Sequence, residues 1–234
     1  RGRRDRTKRR PPNGPERQVA PGIAARLPDA MSPLVGRASE RREFDTALSS
    51  AGAGENRLVL IEGEAGIGKT RLCAELSLEA ADRGTVVAHA TAYEIGAGMA
   101  YAPLACWLRQ PDIERSLARL DPLCRGEIAR ILPELQLAAE SPGWSPETPT
   151  QGWHKLRFFE ALYRAVTDRA RAVLLVLDNL QWCDGETIEW LHYAVTRQPG
   201  TDLVVVVTRR TESPLGRRAE RLLANLAHGE LSRT

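Results

Sequence analysis

A chain of 234 residues is long enough for one α/β domain with a sizeable core and a tail. Its 42% hydrophobic and 5% aromatic content is that of an ordinary globular protein. The formal charge of +3 is unevenly placed: residues 1–30 hold nine Arg/Lys against three acids, which leaves 24 basic and 27 acidic side chains beyond them. The patterned part is therefore mildly acidic and makes no electrostatic case for a nucleic-acid surface. The longest apolar runs, Val173–Leu177 and Leu203–Val207, are far too short to span a bilayer. The basic start is followed by Pro and Gly rather than an apolar stretch, so no signal peptide is read and a cytoplasmic location is expected. Cys73, Cys106, Cys124 and Cys183 are spread out without a CxxC pair, which points to reduced, mostly packed thiols and not to a metal site.

In chain order, residues 1–30 are rich in Arg, Pro and Gly and have no periodic apolar face. They read as a disordered tail. A nucleic-acid arm is the functional alternative to a solvated tail, and Met31 is the expected native start, because the patterned sequence begins directly after it. From there helices and strands alternate. A helix is predicted from about Ser39 to Ser50 with Phe44, Ala47 and Leu48 on one face, and a strand over Arg57–Glu62. A helix from Lys69 to about Arg83 turns Leu72, Leu76 and Ala80 inward and stops at Gly84. Thr85–Ala90 is a second strand. Residues 91–150 read as an insert of short helices broken by prolines, among them Pro103, Pro111, Pro122 and Pro133, with Trp144 in a Pro-rich loop. An amphipathic helix follows from about Gln151, with Trp153, Leu156, Phe159, Leu162 and Val166 at helical spacing. Ala172–Leu177 is a third strand, Glu186–Gln198 a helix, Leu203–Thr208 a fourth strand, and Pro214–His228 helical. Continuous apolar strands are buried on both faces, and the strand–helix–strand order implies a parallel sheet with right-handed crossovers.

Chemistry concentrates between the first strand and the helix after it. The run Gly63-Glu64-Ala65-Gly66-Ile67-Gly68-Lys69-Thr70 is a P-loop motif in the strand–loop–helix context that motif needs. Gly63, Gly66 and Gly68 permit backbone angles that aim successive N–H groups into one concavity. The helix start at Lys69 adds its positive dipole end. Such a loop is expected to bind ATP with magnesium, Lys69 reaching the phosphates and Thr70 ligating the metal, with Arg71 in the same binding segment. Lys69 is one of three lysines against thirty arginines, which makes its identity informative. Asp178 closes the apolar run Val173–Leu177 and is the expected second magnesium ligand, a Walker B acid at the carboxyl edge of the sheet. Asn179 stands where many P-loop ATPases carry a second acid, and an amide takes no proton at neutral pH, so slow hydrolysis is expected. Asp184 could substitute but reads first as a helix N-cap ahead of Gly185-Glu186-Thr187. Of Arg209 and Arg210 at the end of the fourth strand, one could face the terminal phosphate.

Taken in order, LVGR (Leu34–Arg37), GEAGIGKT, LLVLDNLQWCD (Leu174–Asp184) and VVVVTRR (Val204–Arg210) resemble the STAND class of AAA-like P-loop ATPases. The nearest resemblance is to the ATPase module of large ATP-binding LuxR-type transcriptional regulators, grouped with origin-recognition-like AAA ATPases. It covers about residues 32–234. The resemblance implies a three-layer P-loop NTPase sandwich, with Val35 and Arg37 near the adenine. It implies Lys69, Asp178 and Arg210 as the catalytic set, Arg210 matching the sensor arginine, and Trp182 as an aromatic behind the Walker B loop. Where the family carries Asp-Asp, this chain carries Asp178-Asn179. The resemblance also places a fifth strand near Leu231, so that strand and the lid are expected to be missing and the chain to be a fragment. Residues 31–234 are then a truncated ATPase domain with a helical insert at about 91–150.

The function so implied is an ATP-binding switch with weak magnesium-dependent hydrolysis, with ATP or ADP as ligand and self-association as a further expectation. DNA would be met only through a C-terminal domain outside this chain. Three alternatives stand beside it: a P-loop phosphotransferase acting on a small molecule, an origin-recognition-type nucleic-acid-binding ATPase, and an inactive fragment.

Overall fold

The computed structural model describes residues 37–51, 54–96, 99–135, 153–167, 171–197, 201–226 and 231–233. Residues 1–30, Val35 and Trp144 lie outside the described residues. The elements are α1 (Ala38–Ala51), β1 (Arg57–Gly63), α2 (Lys69–Asp82), β2 (Val86–Thr91), α3 (Ala102–Leu108), α4 (Pro111–Leu117), α5 (Pro122–Ile128), α6 (Trp153–Thr167), β3 (Val173–Asp178), α7 (Gly185–Thr196), β4 (Leu203–Arg210), α8 (Arg217–Leu226) and β5 (Leu231–Arg233).

The strands form one sheet in the order β2-β3-β4-β1-β5, and each pairing is parallel. Alternate residues of β1 to β4 feed two cores. On one face Val59, Ile61, Leu174, Val176, Val204 and Val206 meet Phe44 and Ala47 of α1 and Leu72, Leu76 and Ala80 of α2. On the other face Leu58, Leu60, Leu175, Leu177, Val205 and Val207 meet residues of α3 to α8. This is the parallel sheet anticipated from the apolar runs, in the three-layer sandwich that the resemblance implied. The right-handed crossovers expected of parallel strands account for helices on both faces.

Three expectations are corrected. The fifth strand is present: β5 pairs with β1 from Leu58↔Leu231 to Leu60↔Arg233. Three of the insert's described prolines start helices rather than break them. Pro103, Pro111 and Pro122 stand in the first two positions of α3, α4 and α5, where the missing N–H is not needed. Far from being an appendage, this region supplies Leu104, Trp107, Leu108, Ile113, Leu117, Ile128 and Leu132 to the second core. The Trp107 indole N–H even donates to the Val176 carbonyl in the sheet, at 3.1 Å. Leu156 does not face inward; it is 44% exposed on α6, while Phe159, Leu162 and Val166 are buried as the helical period requires. Cys73 is buried and Cys124 and Cys183 half-buried, but Cys106 is exposed. Burial pushes the Cys183 thiol up, so it stays protonated and unreactive. No described helix is long and apolar enough to cross a membrane.

One buried amide ties the lower edge of the sandwich together. Asn56, 2% exposed, precedes β1. Its Oδ1 accepts from the N–H groups of Thr201 (3.0 Å) and Leu203 (3.2 Å) at the start of β4. Its Nδ2 donates to the Tyr163 hydroxyl on α6 (2.9 Å) and the Ala194 carbonyl on α7 (2.8 Å). Buried polar groups left without partners are costly, so Asn56→Ala is expected to lower stability by about 2–4 kcal/mol. Urea unfolding would measure this, and a loss under about 0.5 kcal/mol would show that water replaces the network.

Candidate functional site

The sheet order brings the carboxyl ends of β1, β4 and β3 side by side, and the motif residues sit there. β1 ends at Gly63; the loop then turns through Gly66 (φ 79°) and Gly68 (φ 96°), left-handed values that side chains rarely adopt. A Cβ at Gly66 or Gly68 would meet nothing within 4 Å, so both glycines open onto space where a ligand can come against bare backbone. The first α-helical hydrogen bond of the following helix runs from the Leu72 N–H to the Gly68 carbonyl, at 2.9 Å. The amides of Lys69, Thr70 and Arg71 thus precede the helical ladder, the arrangement that makes a helix start attractive to anions.

Lys69 curls back over the loop, its Nζ donating to the carbonyls of Gly63 and Glu64, each at 2.8 Å. Arg71 turns its guanidinium to Glu75 at 3.3 Å. Arg37 lies against the loop, donating to the Ile67 carbonyl at 3.0 Å and pairing with Glu40 at 2.7 Å. That pairing, with the Ser39 hydroxyl, holds the Glu40 carboxyl at about 2. Ile67 is 51% exposed at the loop tip.

Asp178, 7% exposed, meets Thr70 across β4. The Thr70 hydroxyl donates to Oδ2 at 2.8 Å, and the Thr208 hydroxyl donates to Oδ1. Thr208 also accepts from the Asn179 N–H at 3.0 Å, so one β4 side chain fixes both the acid and the residue after it. Asn179 is left-handed, φ 66° and ψ 58°, a conformation Asn tolerates better than most residues. Its side chain lies 3.5 Å from both the Ala92 carbonyl and Gln181. Asp184 is the helix cap that its setting suggested: Oδ1 accepts from Thr187 N–H (2.8 Å) and Tyr101 N–H (3.0 Å), and Oδ2 from the Thr187 hydroxyl (2.7 Å). Both of its oxygens are engaged in the cap.

The two arginines part company. Arg209 pairs with Glu62 at 2.8 Å. Arg210 lays its guanidinium over the Trp182 ring, 4.9 Å from the centroid, and takes a 3.4 Å bond from its own N–H to Gln181. Three functional candidates were not anticipated. Thr208 was readable as the one hydroxyl ending a run of valines; Glu62 and Glu212 carried no pattern. The Glu212 carboxylate accepts from the Ala65 N–H of the glycine loop at 3.1 Å.

As a donor set this can hold a magnesium–phosphate ligand. Mg²⁺ favours one or two carboxylates plus hydroxyl, phosphate and water oxygens, and Thr70 with Asp178 offers that. Among the described residues no three His, Cys, Asp or Glu side chains converge as an all-protein metal cage.

A parallel sheet in this order, a glycine loop between β1 and a helix, and an acid ending β3 on the far side of β4 define a P-loop ATPase. Residues 33–207 match the AAA ATPase domain family, and the chain belongs to that family. No curated protein matches it. The crystal structure of Cdc6p from Pyrobaculum aerophilum is similar, with a TM-score of 0.51 and 14% identity over 92% of this chain and 49% of that one. The AMPPCP-bound DnaA of Aquifex aeolicus has a TM-score of 0.41 at 16% identity, over 87% of this chain and 48% of that one. The Aeropyrum pernix Orc1 protein in complex with DNA has a TM-score of 0.41 at 18% identity, over 84% of this chain and 46% of that one. The chain thus spans about half the length of these solved structures.

If Thr208 sets the acid, Thr208→Val should destabilise the fold by about 1–3 kcal/mol, because a buried carboxylate loses a donor and the Asn179 N–H its acceptor. Thr208→Ser should recover most of that loss in urea unfolding. Equal stability of the Val variant and the parent would show that the hydroxyl is dispensable.

Proposed function

We propose that this chain is the nucleotide-controlled switch of a longer regulator, binding ATP with magnesium and hydrolysing it slowly. The observation that carries the reading is the 2.8 Å contact between the Thr70 hydroxyl and the Asp178 carboxylate beside a loop of left-handed glycines. Gly63, Glu64, Ala65, Gly66, Ile67 and Gly68 supply main-chain amides to the phosphates. The Lys69 ammonium leaves its two carbonyls to meet phosphate oxygens. Thr70 and Asp178 would hold magnesium, which when bound supplies charge neutralisation on the triphosphate. Arg37, fixed on the loop, and Val35, two residues before it in the sequence, would contact the adenine, and Arg210 can leave the Trp182 face to read the terminal phosphate. Asn179 can orient water through its amide but takes no proton from it, which supports slow turnover.

The regulator context rests on the order and spacing of the four motifs and on the Asp178-Asn179 departure, which suits a timer more than a motor. ADP would be the resting ligand, and self-association the expected response to ATP. Any DNA contact would lie beyond this chain, since the sequence from residue 31 on is mildly acidic.

Lys69→Ala is expected to weaken binding of a fluorescent ATP analogue by about 100-fold or more with magnesium present. Equal affinity of variant and parent would overturn the assignment. Asn179→Asp is expected to raise the rate of phosphate release by about tenfold or more, since it restores a group that can accept a proton. An unchanged rate would remove the amide as the cause of slow turnover.

A further inference from the structure

The turn after β4 is fastened to the glycine loop at two points. The Thr211 N–H donates to the Gly63 carbonyl at 3.3 Å, and the Ala65 N–H donates to Glu212 Oε1 at 3.1 Å. The second contact puts a carboxylate on a main-chain amide of the very loop whose amides would take phosphate. Glu212 is exposed, so the contact is not forced by packing. Its carboxyl is held below the usual range by its own backbone N–H first, then by the Ala65 N–H, the Thr211 hydroxyl and the nearby Lys69 charge. The Thr211 hydroxyl lies 3.3 Å from Oε2. Lys69 meanwhile holds the carbonyls of Gly63 and Glu64, on the same side of the loop. Glu212 also lines a shallow hollow of about 370 Å³ with Arg209, Ser213, Pro214, Leu215 and Glu220, so its side chain has open space beside the loop.

We infer that Glu212 is an internal competitor for the phosphate site, a specificity residue whose carboxylate occupies the Ala65 amide until a nucleotide phosphate displaces it. The inference rests on the nucleotide reading above. Two anions cannot share one N–H, and a carboxylate close to a polyphosphate repels it through short-range Coulomb forces. A ligand that brings more charge and more oxygens wins the amide and pushes Glu212 out. The terminal phosphate meets the competitor most directly, because Lys69, its expected partner, lies at the same end of the loop. Displacement of Glu212 also removes one of the two ties on the turn that follows Thr208, Arg209 and Arg210. Phosphate occupancy is thereby passed to the segment leading into α8.

The test is equilibrium titration of a fluorescent ATP analogue and its ADP counterpart, with magnesium, against the full chain and three variants: Glu212→Gln, Glu212→Ala and Lys69→Ala. Both Glu212 substitutions lie on the surface and leave the fold intact. They are expected to tighten ATP binding about three- to tenfold and ADP binding less, the size expected for an exposed charge contact. Unchanged or weaker ATP binding in both Glu212 variants, with binding lost in Lys69→Ala, would overturn the competitor while leaving the nucleotide site standing. Undiminished binding in Lys69→Ala would remove the nucleotide reading and the competitor with it.

Discussion

The carboxylate of Asp178, held between two threonine hydroxyls, is the constraint around which the rest is arranged. A buried ionised carboxylate needs donors, and here it has hydroxyls from α2 and β4. Each hydroxyl takes one of its two oxygens, Thr70 on Oδ2 and Thr208 on Oδ1. That solution works only if β4 lies between the strand carrying the acid and the strand carrying the glycine loop. The order β2-β3-β4-β1-β5 provides this. The two apolar cores below then hold three strand ends in register: Gly63 of β1 lies opposite Arg210, and Leu177 of β3 opposite Val207.

What lies at the sheet centre was legible because burial on both faces leaves a strong mark. Val173–Leu177 and Leu203–Val207 are unbroken apolar runs, and every residue of both is buried. The glycine loop was equally legible, since its backbone angles demand glycine at Gly66 and Gly68. The elements that escaped are those where tertiary context outweighs local pattern. The helices of the insert begin with proline, which in isolation reads as a breaker; only the core they complete reveals them as structural. Leu156 obeys the helical period yet meets solvent, because nothing described covers that side of α6. β5 was placed near Leu231 by family likeness and thought lost, though three residues suffice to pair with β1. Glu212 could not have been found, because its significance comes from a carboxylate and an amide 147 residues apart.

Arg209 and Arg210 show how parallel pairing sorts neighbouring side chains. Arg209 lies opposite Glu62 in the register and pairs with it. Arg210, one residue on, reaches the short helical turn after β3 and rests on Trp182. The sequence offered two equivalent cations; the pleat assigns one to each side. Arg209 braces β4 against β1, and Arg210 rests on an aromatic face in a cation–π contact.

The left-handed backbone at Asn179 restricts what selection can do with the residue after the Walker B acid. Most side chains there would cost about 1–2 kcal/mol, whereas Asn, Asp and Gly are tolerated. Of those three, only Asp brings a proton acceptor; glutamate, the other acid, fits the kink poorly. The backbone therefore narrows this position to three residues, of which Asp alone would add an acid. Under the slow-ATPase reading proposed above, exchanging a single nitrogen for oxygen would supply the missing acid with the surrounding architecture left as it is.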